Sequence, residues 1–192
     1  MPHTSTLFDL LWGKLSKRQT NILTEIVLAL AGAFVLFLSA QVAFPLPGNP
    51  VPVTMQTLVL FQLALIFGAK RSAIMALTYV LQGAAGLPVF EGGGFGLLRL
   101  FGPTGGYLIA FPVCAYLLGL AAERGFDRRP SLALISLILV HIVLFGLGST
   151  WLSFYVGAES AILLGVAPFI PGAVFKLCLL ALWTPALRRL FS

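Results

Sequence analysis

Lys176 stands in the last apolar stretch of the chain, Pro171 to Leu187, with no Asp or Glu within fifteen positions on either side. A cation placed in a bilayer without a partner costs at least about 2.5 kcal/mol. Such a residue marks a ligand or a pathway, unless its ammonium snorkels to the nearer interface. Arg99 is a second candidate for holding an anion. It lies in the segment Phe95-Gly96-Leu97-Leu98-Arg99-Leu100-Phe101, where it serves either as an interfacial anchor or as an anion contact, and Glu91 is its nearest acid.

Other reactive side chains form no catalytic set. His141 and Ser149 share one apolar run. Eight residues on one helix separate them by roughly 12 Å along the axis, too far for a nucleophile and its base. The surrounding Gly148-Ser149-Thr150 also lacks a G-x-S-G form, so His141 is expected to hydrogen-bond between helices. Glu25 is the one acid inside an apolar run, and a proton relay needs several. Cys114 and Cys178 both lie in apolar runs and read as small buried hydrophobes rather than a disulfide or metal pair. There is no G-x-x-x-x-G-K-[ST] loop for nucleotide phosphates and no H-E-x-x-H or paired cysteine–histidine spacing for a metal. No cofactor and no enzymatic activity are expected. Transport driven by ATP would need an ATPase on another subunit.

The elements that must position these residues follow from composition. The chain is 59% hydrophobic and 9% charged, against roughly 25% charged in a soluble domain. It reads as an all-α, polytopic membrane protein, a single integral membrane domain over residues 1–192 with the lipid bilayer as its solvent. A bilayer crossing takes ~20 residues, which leaves room for about six spans and little else. The apolar runs are 22–43, 54–69, 72–88, 103–122, 131–156 and 160–187. The second and third are short, and tilt or local thinning would accommodate them. Pro168 and Pro171 interrupt the last, whose continuous helix should begin near Pro171. Residues 1–21 form a cytoplasmic or interfacial segment. In it Leu7, Leu11 and Leu15 recur every fourth residue beside Trp12, suiting a short helix on the membrane surface.

Charge then orients the spans. Lys14, Lys17 and Arg18, Lys70 and Arg71, Arg124, Arg128 and Arg129, and Arg188 and Arg189 place ten of the twelve basic residues on one side. The positive-inside rule makes that side, and both termini, cytoplasmic. The net charge of +6 therefore belongs to membrane surfaces. No aromatic–basic stripe or motif points to nucleic acid. The opposite loops are rich in glycine and proline (Pro45, Pro47, Gly48, Pro50; then Pro88 and Gly92 to Gly94). Irregular backbone at membrane depth must be buried or line a cavity. An outward-facing pocket roofed by these two loops is the expected site. No internal repeat supports an inverted-repeat transporter.

Three motifs carry a resemblance. Val51-Pro52-Val53-Thr54-Met55-Gln56-Thr57-Leu58, then Gly86-Leu87-Pro88-Val89-Phe90, then Gly102-Pro103-Thr104-Gly105-Gly106-Tyr107-Leu108 resemble the BioY family in order and spacing. Pro168-Phe169-Ile170-Pro171-Gly172 with Lys176 adds a fourth match. BioY proteins are the biotin-specific substrate-binding subunits (S components) of energy-coupling factor (ECF) transporters. The resemblance runs from Ile22 to Leu187. It implies a six-helix S-component fold in the cytoplasmic membrane of a prokaryote, with the vitamin site near the outer face. It also implies partners, an EcfT-like transmembrane coupling protein and two ABC-type ATPase subunits. Ala29 and Ala33, a small-xxx-small pair on helix one, could serve internal packing or a partner helix; the resemblance implies that this face would meet the coupling protein. One departure stands out. The family's pattern often carries an acid three residues before the lysine, and here that position is Ala173.

Biotin has an apolar bicyclic body, a ureido group and a carboxylate, so its pocket needs aromatic walls, amide or hydroxyl partners and one cation. Phe90, Tyr107 and Trp151 would supply the walls. Thr54, Gln56, Thr104 and the backbone at Gly105 would meet the ureido group. Lys176 is first choice for the carboxylate, helped by the helix N-terminus nearby, and Arg99 is second. Without an acid at 173, the ligand, Glu91 or Glu159 must balance Lys176. The alternatives are an S component for another small vitamin, such as thiamine or riboflavin, and a membrane-embedded enzyme.

Overall fold

The structure is a computed structural model and describes residues 6–8 and 21–191. Its elements are α1 (Ile22–Gln41), β1 (Ala43–Phe44), β2 (Val53–Thr54), α2 (Gln56–Ala84), a short α3 (Leu97–Leu100), α4 (Gly105–Glu123), α5 (Pro130–Val156), α6 (Ala158–Gly165) and α7 (Ile170–Phe191). Among the described residues, five helical stretches are long and apolar enough to cross a membrane: Ile22–Gln41, Gln56–Ala84, Gly105–Glu123, Pro130–Val156 and Ala158–Ala186. Their outer faces expose large apolar side chains, among them Phe34 and Leu38 on α1, Ile142 and Phe154 on α5, and Phe175 and Leu182 on α7. So broad an apolar belt needs lipid, not water, around it. The protein is a multi-pass, helical membrane protein.

α2 is not one rod. A straight helix would hold residues 56 and 79 ~35 Å apart, yet Gln56 Nε2 donates to the Tyr79 hydroxyl at 2.7 Å. The chain reverses at Gly68, whose φ of 78° and ψ of −176° are open almost only to glycine. The returning half is capped from α4, where Glu123 Oε1 accepts from the Ala69 amide at 2.8 Å. The Ser72 hydroxyl donates back to the Gly68 carbonyl at 2.6 Å. The expected Lys70–Arg71 loop is thus a single glycine, and both basic residues sit on the first turn of the returning helix. Gly119 lets α4 press against this hairpin, since a Cβ there would fall 2.4 Å from the Ala69 nitrogen.

The last apolar run divides as its prolines require. α6 ends at Gly165, a 3-10 turn spans Ala167–Phe169, and α7 carries Pro171 in its first turn. At one end of the bundle Arg71 pairs with Glu25 at 2.8 Å. Here Leu7 and Phe8 are buried. The Phe8 ring lies 5.1 Å from that of Phe67, under the Arg71 guanidinium. Leu7 therefore packs on the protein rather than on a membrane surface. Leu11, Trp12, Leu15, Lys14, Lys17 and Arg18 lie outside the described residues. The side chains of Arg188 and Arg189 do too.

Ala33 turns inward, whereas Ala29 lines a groove between α1 and α2 together with Glu25, Arg71 and Met75. Ala33 is fully buried in the main core, and Ala29 is 9% exposed. Between them Gly32 meets Met75, which a Cβ would approach to 2.4 Å. The Ala33 methyl group packs against the chain's own core and presents no free surface.

Candidate functional site

At the opposite end of the bundle, β1 and β2 pair antiparallel, Ala43 with Thr54 and Phe44 with Val53. The pairing brings the Pro-rich first loop across the helix ends. A cavity lies beneath it, walled by α2, α4, α5, α7 and the segment around Phe90 to Arg99. Its walls are mainly apolar and aromatic, with Phe90, Tyr107, Phe111, Phe145 and Phe169 contributing rings. The polar groups reaching it include Thr54, Gln56, Thr57, Thr104, His141 and Lys176. Glu91 and Arg99 stand at its edge as an ion pair.

Lys176 projects from α7 and is 8% exposed. Six residues below the start of the helix place it ~9 Å along the axis. Its ammonium donates to the Thr54 carbonyl at 2.6 Å and the Thr57 hydroxyl at 2.9 Å. Both acceptors are neutral. Among the described residues no carboxylate pairs with it, because Glu91 is held by Arg99 and Glu159 is exposed on α6. Ala173, one turn earlier on α7, also lines the cavity and offers only a methyl group. The site is therefore an apolar pocket with one buried, uncompensated cation. Such a pocket has the chemistry to hold an anion with an apolar body.

Seven of the expected residues share this cavity: Lys176, Arg99, Thr54, Gln56, Phe90, Thr104 and Tyr107. Two do not. Trp151 packs over the start of α4, its indole N–H donating to the Gly102 carbonyl at 3.0 Å. A Cβ on Gly106 would lie 2.2 Å from Trp151 Cβ. The Gly105 amide is taken by the Gly102 carbonyl at 2.9 Å, and a Cβ there would strike the Leu100 carbonyl oxygen at 1.7 Å. Gly105 and Trp151 build the helix junction behind the wall.

The remaining walls are braced from behind. Phe90 sits against Gly83, where a Cβ would lie 2.1 Å from its ring, and meets Tyr79 edge-on at 5.6 Å. The Tyr107 hydroxyl donates to the Gly165 carbonyl at 2.7 Å, tying α4 to the end of α6. His141 is 5% exposed and faces the cavity. Its Nδ1 meets the Leu137 carbonyl of its own helix at 3.0 Å, which corrects the expected bond between helices. Ser149 likewise bonds the Phe145 carbonyl of α5 at 2.6 Å, with no contact to His141. Cys114 is buried and Cys178 exposed. Among the described residues no three of His, Cys, Asp and Glu converge as a metal set.

Thr57 and His141 line the cavity and Tyr79 bonds Gln56 from behind it, and none of the three was among the expected site residues. Thr57 stood inside the first motif, three residues from Thr54. His141 carried the general signal of an ionisable group within a span. Tyr79 had no sequence signal, because only the hairpin at Gly68 returns it to Gln56.

The model of the BioY family matches residues 12–192. The chain belongs to the BioY family. Among its relatives, the biotin transporter BioY of Thermotoga maritima is 37% identical, over 83% of this chain and 94% of that protein. The biotin transporter BioY2 of Lactococcus lactis is 33% identical, over 91% of this chain and 95% of that protein. The probable biotin transporter BioY of Pyrococcus horikoshii is 35% identical, over 77% and 87% respectively. The fold is also that of a crystal structure described as the S-component for biotin from an ECF-type ABC transporter. That chain matches with a TM-score of 0.77 and 24% identity, covering 90% of this chain and 95% of its own. As a BioY protein, this chain has the three motifs arranged around a single cavity at one end of the bundle.

Proposed function

We propose that this protein is the biotin-capturing S component of an ECF-type vitamin transporter. The observation that carries this is the cavity of Lys176: aromatic walls for the bicyclic body, amide and hydroxyl groups for the ureido group, and a buried cation with no acid to balance it among the described residues. Lys176 receives the carboxylate, since Arg99 already has Glu91. Gln56, Thr54 and Thr104 meet the ureido group, and Phe90 and Tyr107 enclose the rings.

The spans number six in this proposal, with α2 counted as two because it folds back at Gly68. Basic residues at the hairpin end (Lys70, Arg71, Arg124, Arg128, Arg129) set that end and both termini in the cytoplasm. The cavity then opens outward from the cytoplasmic membrane of a prokaryote. The chain lacks a nucleotide loop, so inward release depends on an EcfT-like coupling protein and ABC-type ATPase subunits. Ala29 and the exposed side chains of α1 are the proposed contact with the coupling protein.

Size-exclusion chromatography of the purified protein with radiolabelled biotin tests the proposal. Label should elute with the protein and be chased by unlabelled biotin. Label that stays in the small-molecule fraction contradicts it.

A further inference from the structure

Tyr79 is fully buried and does not line the cavity. Its hydroxyl makes two hydrogen bonds. It donates to the Val89 carbonyl at 3.2 Å, and a carbonyl oxygen can only accept. A phenol has one hydrogen, so toward Gln56 the same hydroxyl can only accept. The group it meets there, at 2.7 Å, must then be the amide NH2. This removes the usual ambiguity between the oxygen and nitrogen of a glutamine side chain. Oε1 of Gln56 is forced to the other side, where the Thr54 hydroxyl donates to it at 3.2 Å. That side is the cavity, which both Thr54 and Gln56 line.

Two other acceptors at the cavity already face a cation. The Thr54 carbonyl takes the Lys176 ammonium, and Glu91 takes Arg99. Oε1 of Gln56 keeps a second lone pair. Biotin, in its carboxylate form, has only its ureido N–H groups as donors. We propose that Tyr79 is a positioning residue for substrate recognition: it fixes the Gln56 amide so that Oε1 faces the cavity and accepts a ureido N–H. This rests on the biotin reading of the site. The Val89 carbonyl is the anchor of the relay, and Phe90 beside it forms a wall. The same phenol therefore sets both a polar contact and an apolar one.

The test is a cycle of Tyr79→Phe and Gln56→Ala, with biotin affinity measured by titration and folding by melting temperature. Phenylalanine keeps the ring contact with Phe90 and removes only the hydroxyl. In the wild-type background Tyr79→Phe should weaken biotin binding roughly five- to tenfold, the loss of about one neutral hydrogen bond. In the Gln56→Ala background the same change should leave affinity within about twofold, while still lowering the melting temperature. A role confined to packing would weaken binding equally in both backgrounds, and that result overturns the inference, as does an unchanged affinity for Tyr79→Phe alone. If Tyr79→Phe is not recovered folded, Gln56→Ala carries the test with biotin methylated at its ureido nitrogens. Wild-type protein should prefer biotin, Gln56→Ala should lose that preference, and a retained preference overturns the inference. Wild-type protein that binds no biotin overturns the function itself, a separate outcome.

Discussion

Replacing Lys176 with methionine removes the charge and keeps most of the side chain's length. At an effective dielectric of about 20 and ~3 Å separation, an ammonium and a carboxylate attract by roughly 5–6 kcal/mol. Two effects reduce this. The carboxylate loses its hydration, and the ammonium gives up part of its bonding to the Thr54 carbonyl and the Thr57 hydroxyl. What remains is the net value of a charged hydrogen bond, about 1.5–3 kcal/mol. Biotin affinity should therefore fall roughly 10- to 150-fold. Calorimetric titration of Lys176→Met, with biotin and with neutral biotin amide, separates charge from shape. The wild type should prefer the acid over the amide by a similar factor, and Lys176→Met should bind the two alike. A variant that keeps the preference refutes the assignment. Loss of the preference in Arg99→Met instead would transfer the carboxylate to Arg99.

Gly83→Ala places a methyl group inside the Phe90 ring position, so the wall must move. Biotin affinity should drop at least about threefold, alongside an overpacking cost of ~1–3 kcal/mol seen in the melting temperature. Gly68→Ala forces a side chain into a conformation reserved for glycine, with Glu123 Oε1 2.5 Å away. Thermal melts should show a loss of about 1–3 kcal/mol, and an unchanged melt would contradict the hairpin. Ala33→Leu should destabilise the protein by a similar ~1–3 kcal/mol, since the position is fully buried. Ala29→Leu should spare biotin binding and reduce co-purification of the coupling protein, and undiminished co-purification would place that contact elsewhere.

Much of the cavity lining was legible because its residues cluster in sequence. Thr54 and Gln56 stand in one motif, Thr104 and Tyr107 in another, and Lys176 announces itself as a charge in an apolar run. The multi-pass character followed from composition. What escaped depends on contacts distant in sequence. The reversal at Gly68 cannot be read from one glycine among twenty, and the meeting of Tyr79 with Gln56 depends on it. Trp151 and Gly105 stand outside the cavity lining, because an aromatic or a glycine near a pocket packs neighbours as readily as it faces the pocket. The burial of Ala33 was open in the sequence for a related reason, as small residues serve internal and external helix contacts alike. His141 was expected to reach a neighbouring helix, yet a carbonyl four residues back on α5 was closer.

The most direct test is calorimetric titration of the purified wild-type protein with biotin, thiamine and riboflavin in parallel. The proposed function predicts saturable, one-to-one binding of biotin and none of the other two. No binding of biotin, or saturable binding of thiamine or riboflavin in its place, would contradict it.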